Sequence, residues 1–415
     1  MPASAQRWAA LLVVVAALLG LAFAAVSSFD YIAHLDRQVH DLSCSLIPGM
    51  GAAPGADEGC RAAMYSPYSA VLHDRYWGGI PIALFAVGCY AFFAAFGLYA
   101  LLRGRATPRR AVGFLALAGL VPLAASLVMA AVSAAKLGQF CQTCVGMYVA
   151  SALLAVGAIW GWAAGRNAER AAQDGAGGSS GRGERRAGGG LVLAWLVALG
   201  AFAVVPAMVY VKSAPAYDVF LDKCGALGGA PKSAKDFVRV TPRTARVPAL
   251  LLFDPLCPSC KGLHQRLDSE GYAEQLDLTL VPFPLDSACN WMLDRPVHPG
   301  ACELAKAVLC AEHRAAQMLG WIYDEQERLA EAGKAPAGQA AIQAAIRERW
   351  PELAACTKNK ETARRLDRVL RFAVDKRLPI STPQLFVAGK RVCDEDTDLG
   401  LAYALPRLVP ELRKP

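Results

Sequence analysis

Five stretches of this chain are apolar for roughly 19 to 26 residues, the length a helix needs to cross about 30 Å of hydrocarbon. They run over residues 8–26, 79–102, 111–135, 140–165 and 190–211. None carries an ionisable residue in its interior, and each is rich in the Gly and Ala that let membrane helices approach closely. A soluble protein hides one such helix, not five. The composition agrees, with 55% hydrophobic against 19% charged residues, and an ordinary soluble enzyme is excluded. The first stretch, preceded by Arg7 and containing the small residues Ala22 and Ala24, also fits a signal peptide, whose removal would leave the later spans in place.

Loop charge orients the spans. The connection holding Arg103, Arg105, Arg109 and Arg110 has no acid, and the linker holding Arg166, Arg170, Arg182, Arg185 and Arg186 is net basic. Both should therefore face the cytoplasm. Helix parity then puts the amino terminus inside, and the 27–78 loop, the 136–140 turn and everything after about 212 outside. The net charge of +8 reports topology, because the Arg clusters flank apolar stretches and lack the aromatic interleaving of a nucleic-acid surface. The Gly-, Ser- and Arg-rich stretch 175–190 reads as a flexible linker.

Twelve of the thirteen cysteines fall on the expected outer side or at its membrane boundary; Cys89, inside a span, reads as a small buried hydrophobe. Cys141-Gln-Thr-Cys144 opens the fourth span, where two thiols three apart share a helix face and the first sits at the positive end of the helix dipole. That favours disulfide exchange; half a zinc site and a pair of structural thiols are the alternatives. Cys44 and Cys60 lie in a Gly- and Pro-rich outer loop, suited either to a shuttling disulfide or to a static staple. Tyr148, four residues after Cys144, shares its face and fits either a hydrogen-bond donor or a membrane-interface aromatic.

Taken in order, Cys44, Cys60-Arg-Ala-Ala-Met-Tyr-Ser66, Gly79-Ile-Pro-Ile-Ala-Leu-Phe85 and Cys141-Gln-Thr-Cys144 with Tyr148 resemble the vitamin K epoxide reductase family over about residues 8–165. The gap between Cys44 and Cys60 is longer than the family pattern. The resemblance implies an all-α transmembrane four-helix bundle around a quinone, ubiquinone or menaquinone. It also implies that Cys144 faces the ring, Cys141 exchanges with the loop through a mixed disulfide with Cys60, and Ser66 and Tyr148 lie near the quinone.

Beyond the fifth span, Pro, Lys and Asp return and apolar runs shorten. A strand-type run at 247–253 leads into Asp254-Pro-Leu-Cys257-Pro-Ser-Cys260 and a helical pattern to about Leu267, the context that raises C-x-x-C above coincidence. A second strand follows at 276–283, and Ser381-Thr382-Pro383 precedes another. These elements resemble DsbA-like and DsbG-like thioredoxin domains, with a helical insertion over about 299–372 and Thr382-Pro383 as the cis-proline turn facing the disulfide. Cys257, ahead of the helix, is expected to be the attacking sulfur because free N–H groups there stabilise its thiolate. Cys260 is expected to resolve, and Thr382 and Pro383 to hold a client peptide. His264 reads as a solvated helix residue. Cys224, Cys289, Cys302, Cys310, Cys356 and Cys393 allow fifteen pairings, with Cys289 and Cys302 the pair expected to form a local staple.

The expected organisation is a membrane domain over 1–165, a cytoplasmic linker over 166–189, a fifth span over 190–211, a connecting segment over 212–244 and an extracytoplasmic α/β domain over 245–415. The expected function is oxidation of secreted or periplasmic protein thiols at a bacterial inner membrane. Electrons would pass from Cys257/Cys260 through Cys44/Cys60 and Cys141/Cys144 to the quinone pool, each step a thiolate attack through a mixed disulfide. Two alternatives compete. One is a disulfide isomerase or reductase tail beside an independent quinone reductase. The other is a cysteine-ligand metal-trafficking protein, disfavoured by the lack of Met-rich or His-rich tracts; no metal and no nucleic acid are expected.

Overall fold

The computed structural model describes residues 2–35, 60, 63–137, 140–175, 189–214, 217–229, 234–242, 245–394, 397 and 399–412. Cys44 and the linker residues Arg182, Arg185 and Arg186 lie outside them. The chain divides into two compact units, residues 1–72 with 79–215 and residues 73–78 with 216–415.

The first unit is helical: α1 (Pro2–Leu35), α2 (Ile82–Arg103), α3 (Arg109–Ala118), α4 (Leu120–Val132), α5 (Gln142–Gly175) and α6 (Gly189–Ser213), with a short hairpin of β1 (Ala70–Val71) and β2 (Ile80–Pro81) before α2. Five segments are long and apolar enough to span a membrane: Ser4–Ala33, Ile82–Arg103, Arg109–Ala135, Gln142–Arg166 and Gly190–Ser213. Small residues set the spacing. Gly20 lies against the Tyr90 ring and Gly146 against Phe23, each too close to leave room for a Cβ. The core is aromatic, with Phe92, Phe96 and Phe114 in mutual contact and α6 adding Trp195 and Phe202 edge-on to Phe96 and Phe92, the geometry the ring quadrupoles favour.

Two helices depart from the expected spans. The third is interrupted at Gly119, so that α4 restarts with Pro122 in its first turn, where the missing N–H costs no hydrogen bond. The first continues past residue 26 to Leu35. Its polar residues are accommodated inside the bundle: the Ser28 hydroxyl donates to the Ala24 carbonyl at 2.8 Å, and Asp30 is buried.

The second unit is built on a five-stranded mixed sheet in the order β3-β5-β4-β6-β7, from β3 (Val238–Val240), β4 (Val247–Phe253), β5 (Leu276–Pro282), β6 (Gln384–Val387) and β7 (Lys390–Arg391). Parallel β4 and β5 pair Val247 with Leu276 through Phe253 with Pro282, joined by α7 (Pro258–Ser269). The other neighbours are antiparallel. β6 and β7 are joined by Ala388-Gly389, both at positive φ, the two-residue turn whose twist suits a hairpin. Between β5 and β6 stands the helical insertion, α8 (Ala301–Ala311), α9 (Ala315–Asp324), α10 (Gln326–Lys334), α11 (Gly338–Arg349), α12 (Ala354–Thr357) and α13 (Lys360–Asp375). The chain closes on α14 (Leu401–Leu408). A β-α-β unit followed by an antiparallel hairpin is a thioredoxin-like arrangement. The unit reaches back beyond residue 245, because β3 edges the sheet and Cys224 is bonded to Cys393. Cys289 pairs with Cys302 and Cys310 with Cys356.

Candidate functional site

In the helical unit, Cys141 immediately precedes α5 and acts as its N-cap, its carbonyl accepting from Val145 N at 3.0 Å. Its sulfur accepts from Cys144 N at 3.4 Å and lies 2.9 Å from Thr143 Oγ1, using groups that a helix start leaves unpaired. Cys141 and Cys144 are free thiols, whereas Cys60 is disulfide-bonded. The Cys60 and Cys141 sulfurs stand 3.2 Å apart. A thiol at contact distance from a disulfide sulfur is the starting geometry for exchange.

These sulfurs open onto a cavity of about 620 Å³ whose lining includes Cys60, Ser66, Cys141, Cys144 and Tyr148. The structure thus brings every membrane-side residue singled out in the sequence to one cavity, except Cys44, which lies outside the described residues. The rest of the wall is largely aliphatic and aromatic, among it Ile82, Phe85, Val121, Val128 and Met129. Ser66 Oγ donates to the Ala63 carbonyl at 2.8 Å, and Tyr148 and Ser133 both line the cavity. A second polar group had no sequence signal: the Tyr90 hydroxyl meets Ser151 Oγ at 2.7 Å, Ser126 Oγ donates to Ser151 at 2.8 Å, and all three residues line the cavity. Asp30, 8% exposed, is the carboxylate in the lining. Ending the first span at residue 26 hid it; an acid inside a membrane segment is the signal that points to it.

In the α/β unit, Cys257 is the extended N-cap of α7, followed by Pro258 at the first helical position, where proline's fixed φ suits the helix start. Its thiol donates to the Thr382 carbonyl at 3.6 Å across from the cis Thr382–Pro383 bond. The structure therefore places Thr382 and Pro383 beside the redox pair. The Cys260 thiol hydrogen-bonds the Cys257 thiolate and, outweighing burial and helped by the Thr382 side chain, lowers the Cys257 pKa to about 6. Cys260 is fully buried, and that burial, with the neighbouring thiolate, pushes its own pKa far up. One sulfur is thus a nucleophile at neutral pH and the other a held-back thiol. His264 pairs with Asp268 at 3.5 Å.

Three further residues brace this centre. Asp254, with no exposed side-chain surface, accepts from Leu256 N at 2.6 Å and Leu285 N at 2.5 Å and meets His298 Nδ1 at 3.1 Å. The buried amide of Gln326, at the start of α10, donates to the carbonyls of Pro255 and Cys257 at 3.2 and 3.1 Å. Gln384 holds the facing turn through the Pro379 and Ser381 carbonyls. Gln326 and His298 lie far along the chain from the C-x-x-C, so no spacing reveals them. Among the described residues, no cluster of three His, Cys, Asp or Glu is placed to hold a metal ion.

Two C-x-x-C centres, one in a bundle of membrane-spanning length and one on a thioredoxin-like sheet, define a multi-pass membrane thiol–disulfide oxidoreductase. Residues 11–159 match the model of the vitamin K epoxide reductase family, and this part of the chain is a domain of that family. No curated protein matches the chain. Among solved structures, it is similar to a protein-disulfide isomerase from Novosphingobium aromaticivorans, at 15% identity over 41% of this chain and 91% of that one, with a TM-score of 0.30. It is also similar to a linker-deletion mutant of Proteus mirabilis ScsC, at 14% identity over 56% of this chain and 100% of that one, with a TM-score of 0.29.

Proposed function

We propose that the chain oxidises the thiols of secreted proteins on the outer face of a bacterial inner membrane and delivers the electrons to ubiquinone or menaquinone. The observation that carries this reading is the 3.2 Å approach of the disulfide-bonded Cys60 to the free Cys141 at the mouth of the cavity that Cys144 lines. In this reading a client dithiol reduces Cys257/Cys260, with Thr382 and Pro383 holding the client backbone. The reduced tail hands its electrons to a Cys44/Cys60 disulfide, and Cys60 exchanges with Cys141. In that exchange the Cys60 thiolate attacks Cys141 of a Cys141–Cys144 disulfide, and Cys44 closes back on Cys60. The released Cys141/Cys144 dithiol, with Cys144 lining the cavity, would re-form its disulfide by giving up two electrons and two protons to an acceptor held there.

The cavity fits a quinone ring. Its size lies within the usual range for small-ligand pockets, and an apolar wall with a few hydroxyls is their usual chemistry. A quinone held there would supply a two-electron, two-proton acceptor. Ser66 and Tyr148 would bind its oxygens, Asp30 would exchange a proton with the lining, and the aliphatic wall would exclude water. The Arg-rich loops support an orientation with the thioredoxin-like unit outside.

The test is quinone reduction by full-length protein in detergent, supplied with a reduced model protein under anaerobic conditions. Quinol should form stoichiometrically with client disulfides. Client oxidation without quinol, or quinol formation only from small dithiols, would defeat the reading.

A further inference from the structure

We propose that His298, oriented by Asp254, is the general base that takes the proton from a client thiol as that thiol attacks Cys257. This rests on the functional reading above and names a residue of the same centre. Three links form a closed ring. Asp254 accepts from Leu285 N at 2.5 Å, the Leu285 carbonyl accepts from His298 N at 2.9 Å, and His298 Nδ1 returns to Asp254 Oδ1 at 3.1 Å. Asp254 is itself fixed to the turn before Cys257 through Leu256 N, and its carbonyl accepts from Cys257 N at 3.2 Å. The imidazole is thus tied to the short segment that carries the attacking sulfur, with Nδ1 in ion-pair range of the carboxylate; in the proposal Nε2 takes the client proton, the division of labour of a base and its orienter.

The ring's surroundings suit that work. His298 is one-fifth exposed while Asp254 is wholly buried, so the imidazole is open to solvent and its partner is not. The titratable groups that face it are Asp254 from the turn after β4, Cys257 from the start of α7 and Asp286 from the loop after β5. Asp286 is occupied by Ala288 N and Gly300 N at 3.0 and 2.8 Å. Tyr323 of α9, buried in the insertion, has its hydroxyl pKa pushed far up by burial and by the charges of Cys260, Cys257 and Asp254. Burial alone would disfavour the imidazolium, but the Asp254 carboxylate outweighs it and raises the His298 pKa, with the Cys257 thiolate adding to the effect.

The step balances. The client S–H bond breaks and its proton goes to Nε2. The client sulfur bonds Cys257, the Cys257–Cys260 bond breaks, and Cys260 leaves as the reduced sulfur. The proton of the client's second thiol goes to the Cys260 thiolate, whose pKa is pushed far up by burial, and the second client sulfur attacks the mixed disulfide at the first. It releases the client disulfide and a Cys257 thiolate beside the imidazolium.

The experiment follows mixed-disulfide formation between oxidised full-length protein and a reduced cysteine peptide, in single turnover across pH. His298→Gln should slow the step about tenfold near pH 7, less than the roughly 10²- to 10⁴-fold of a positioned base because a few per cent of a free thiol is already ionised there. It should converge on the wild type above about pH 9, where a free thiol of pKa about 8.5 is already ionised. Added imidazole should restore His298→Ala at neutral pH. A rate ratio constant across pH, or no slowing, would overturn the proposal and show a structural role at most. A wild type unable to form the mixed disulfide would defeat the functional reading itself, which keeps the two failures apart.

Discussion

At the scale of single residues, each C-x-x-C motif treats its two sulfurs differently. Cys141 caps α5 against the Cys60 sulfur, while Cys144, one turn on, lines the cavity. Cys144→Ala should therefore abolish quinone reduction while Cys141 still traps a mixed disulfide with the loop, seen on a non-reducing gel; near-normal quinone turnover would contradict this assignment. For Cys257 the sign of the pH effect follows from a pKa lowered from 9.0 to about 6. The reduced folded form gains stability from the thiolate, fully so above about pH 9; the gain shrinks as pH falls and is gone below about 6. Ultraviolet thiolate absorbance of the reduced protein should rise through a midpoint near pH 6, and Cys257→Ser should remove that transition. The sulfurs were legible in the sequence because spacing and helix context fix them. His298 was not, because its nearness to Cys257 is made by the Leu285 links and not by any sequence interval.

At the scale of elements, contact between helices depends on where a side chain is missing. A Cβ on Gly88 of α2 would lie 1.8 Å from the Phe202 carbonyl of α6, a backbone atom with no rotamer to yield. Gly88→Ala should cost about 1 to 3 kcal/mol, the usual penalty for overpacking, read as a lower midpoint of thermal unfolding in detergent; an unchanged midpoint would show that α6 shifts freely. The apolar runs announced all five spanning helices, since hydrocarbon imposes its length directly. They misjudged the end of α1, because Ser28 and Asp30 are tolerated inside a bundle, and they missed the break at Gly119, which leaves hydropathy unchanged. β3 escaped notice because three residues carry too little alternation to register. The Cys289–Cys302 staple was legible from its short loop, but the Cys224–Cys393 pair closes 169 residues and exists only once the hairpin has folded against the preceding segment.

At the scale of the whole molecule, the Arg-rich loops make an orientation claim. A membrane-impermeant thiol reagent added to intact spheroplasts under reducing conditions should label Cys257; a need for permeabilisation would reverse the topology. The larger claim is that the two redox centres serve one electron path. Tethering both to one chain raises their mutual concentration to about the millimolar range, so that intramolecular exchange outruns exchange between separate molecules. The most direct measurement is the redox state of Cys257 and Cys260, followed by alkylation gel shift during aerobic turnover of Cys44→Ala protein with client and no other oxidant. The account predicts a tail that accumulates in the reduced form while a small dithiol still reduces Cys141 and Cys144; a tail that stays oxidised would contradict it.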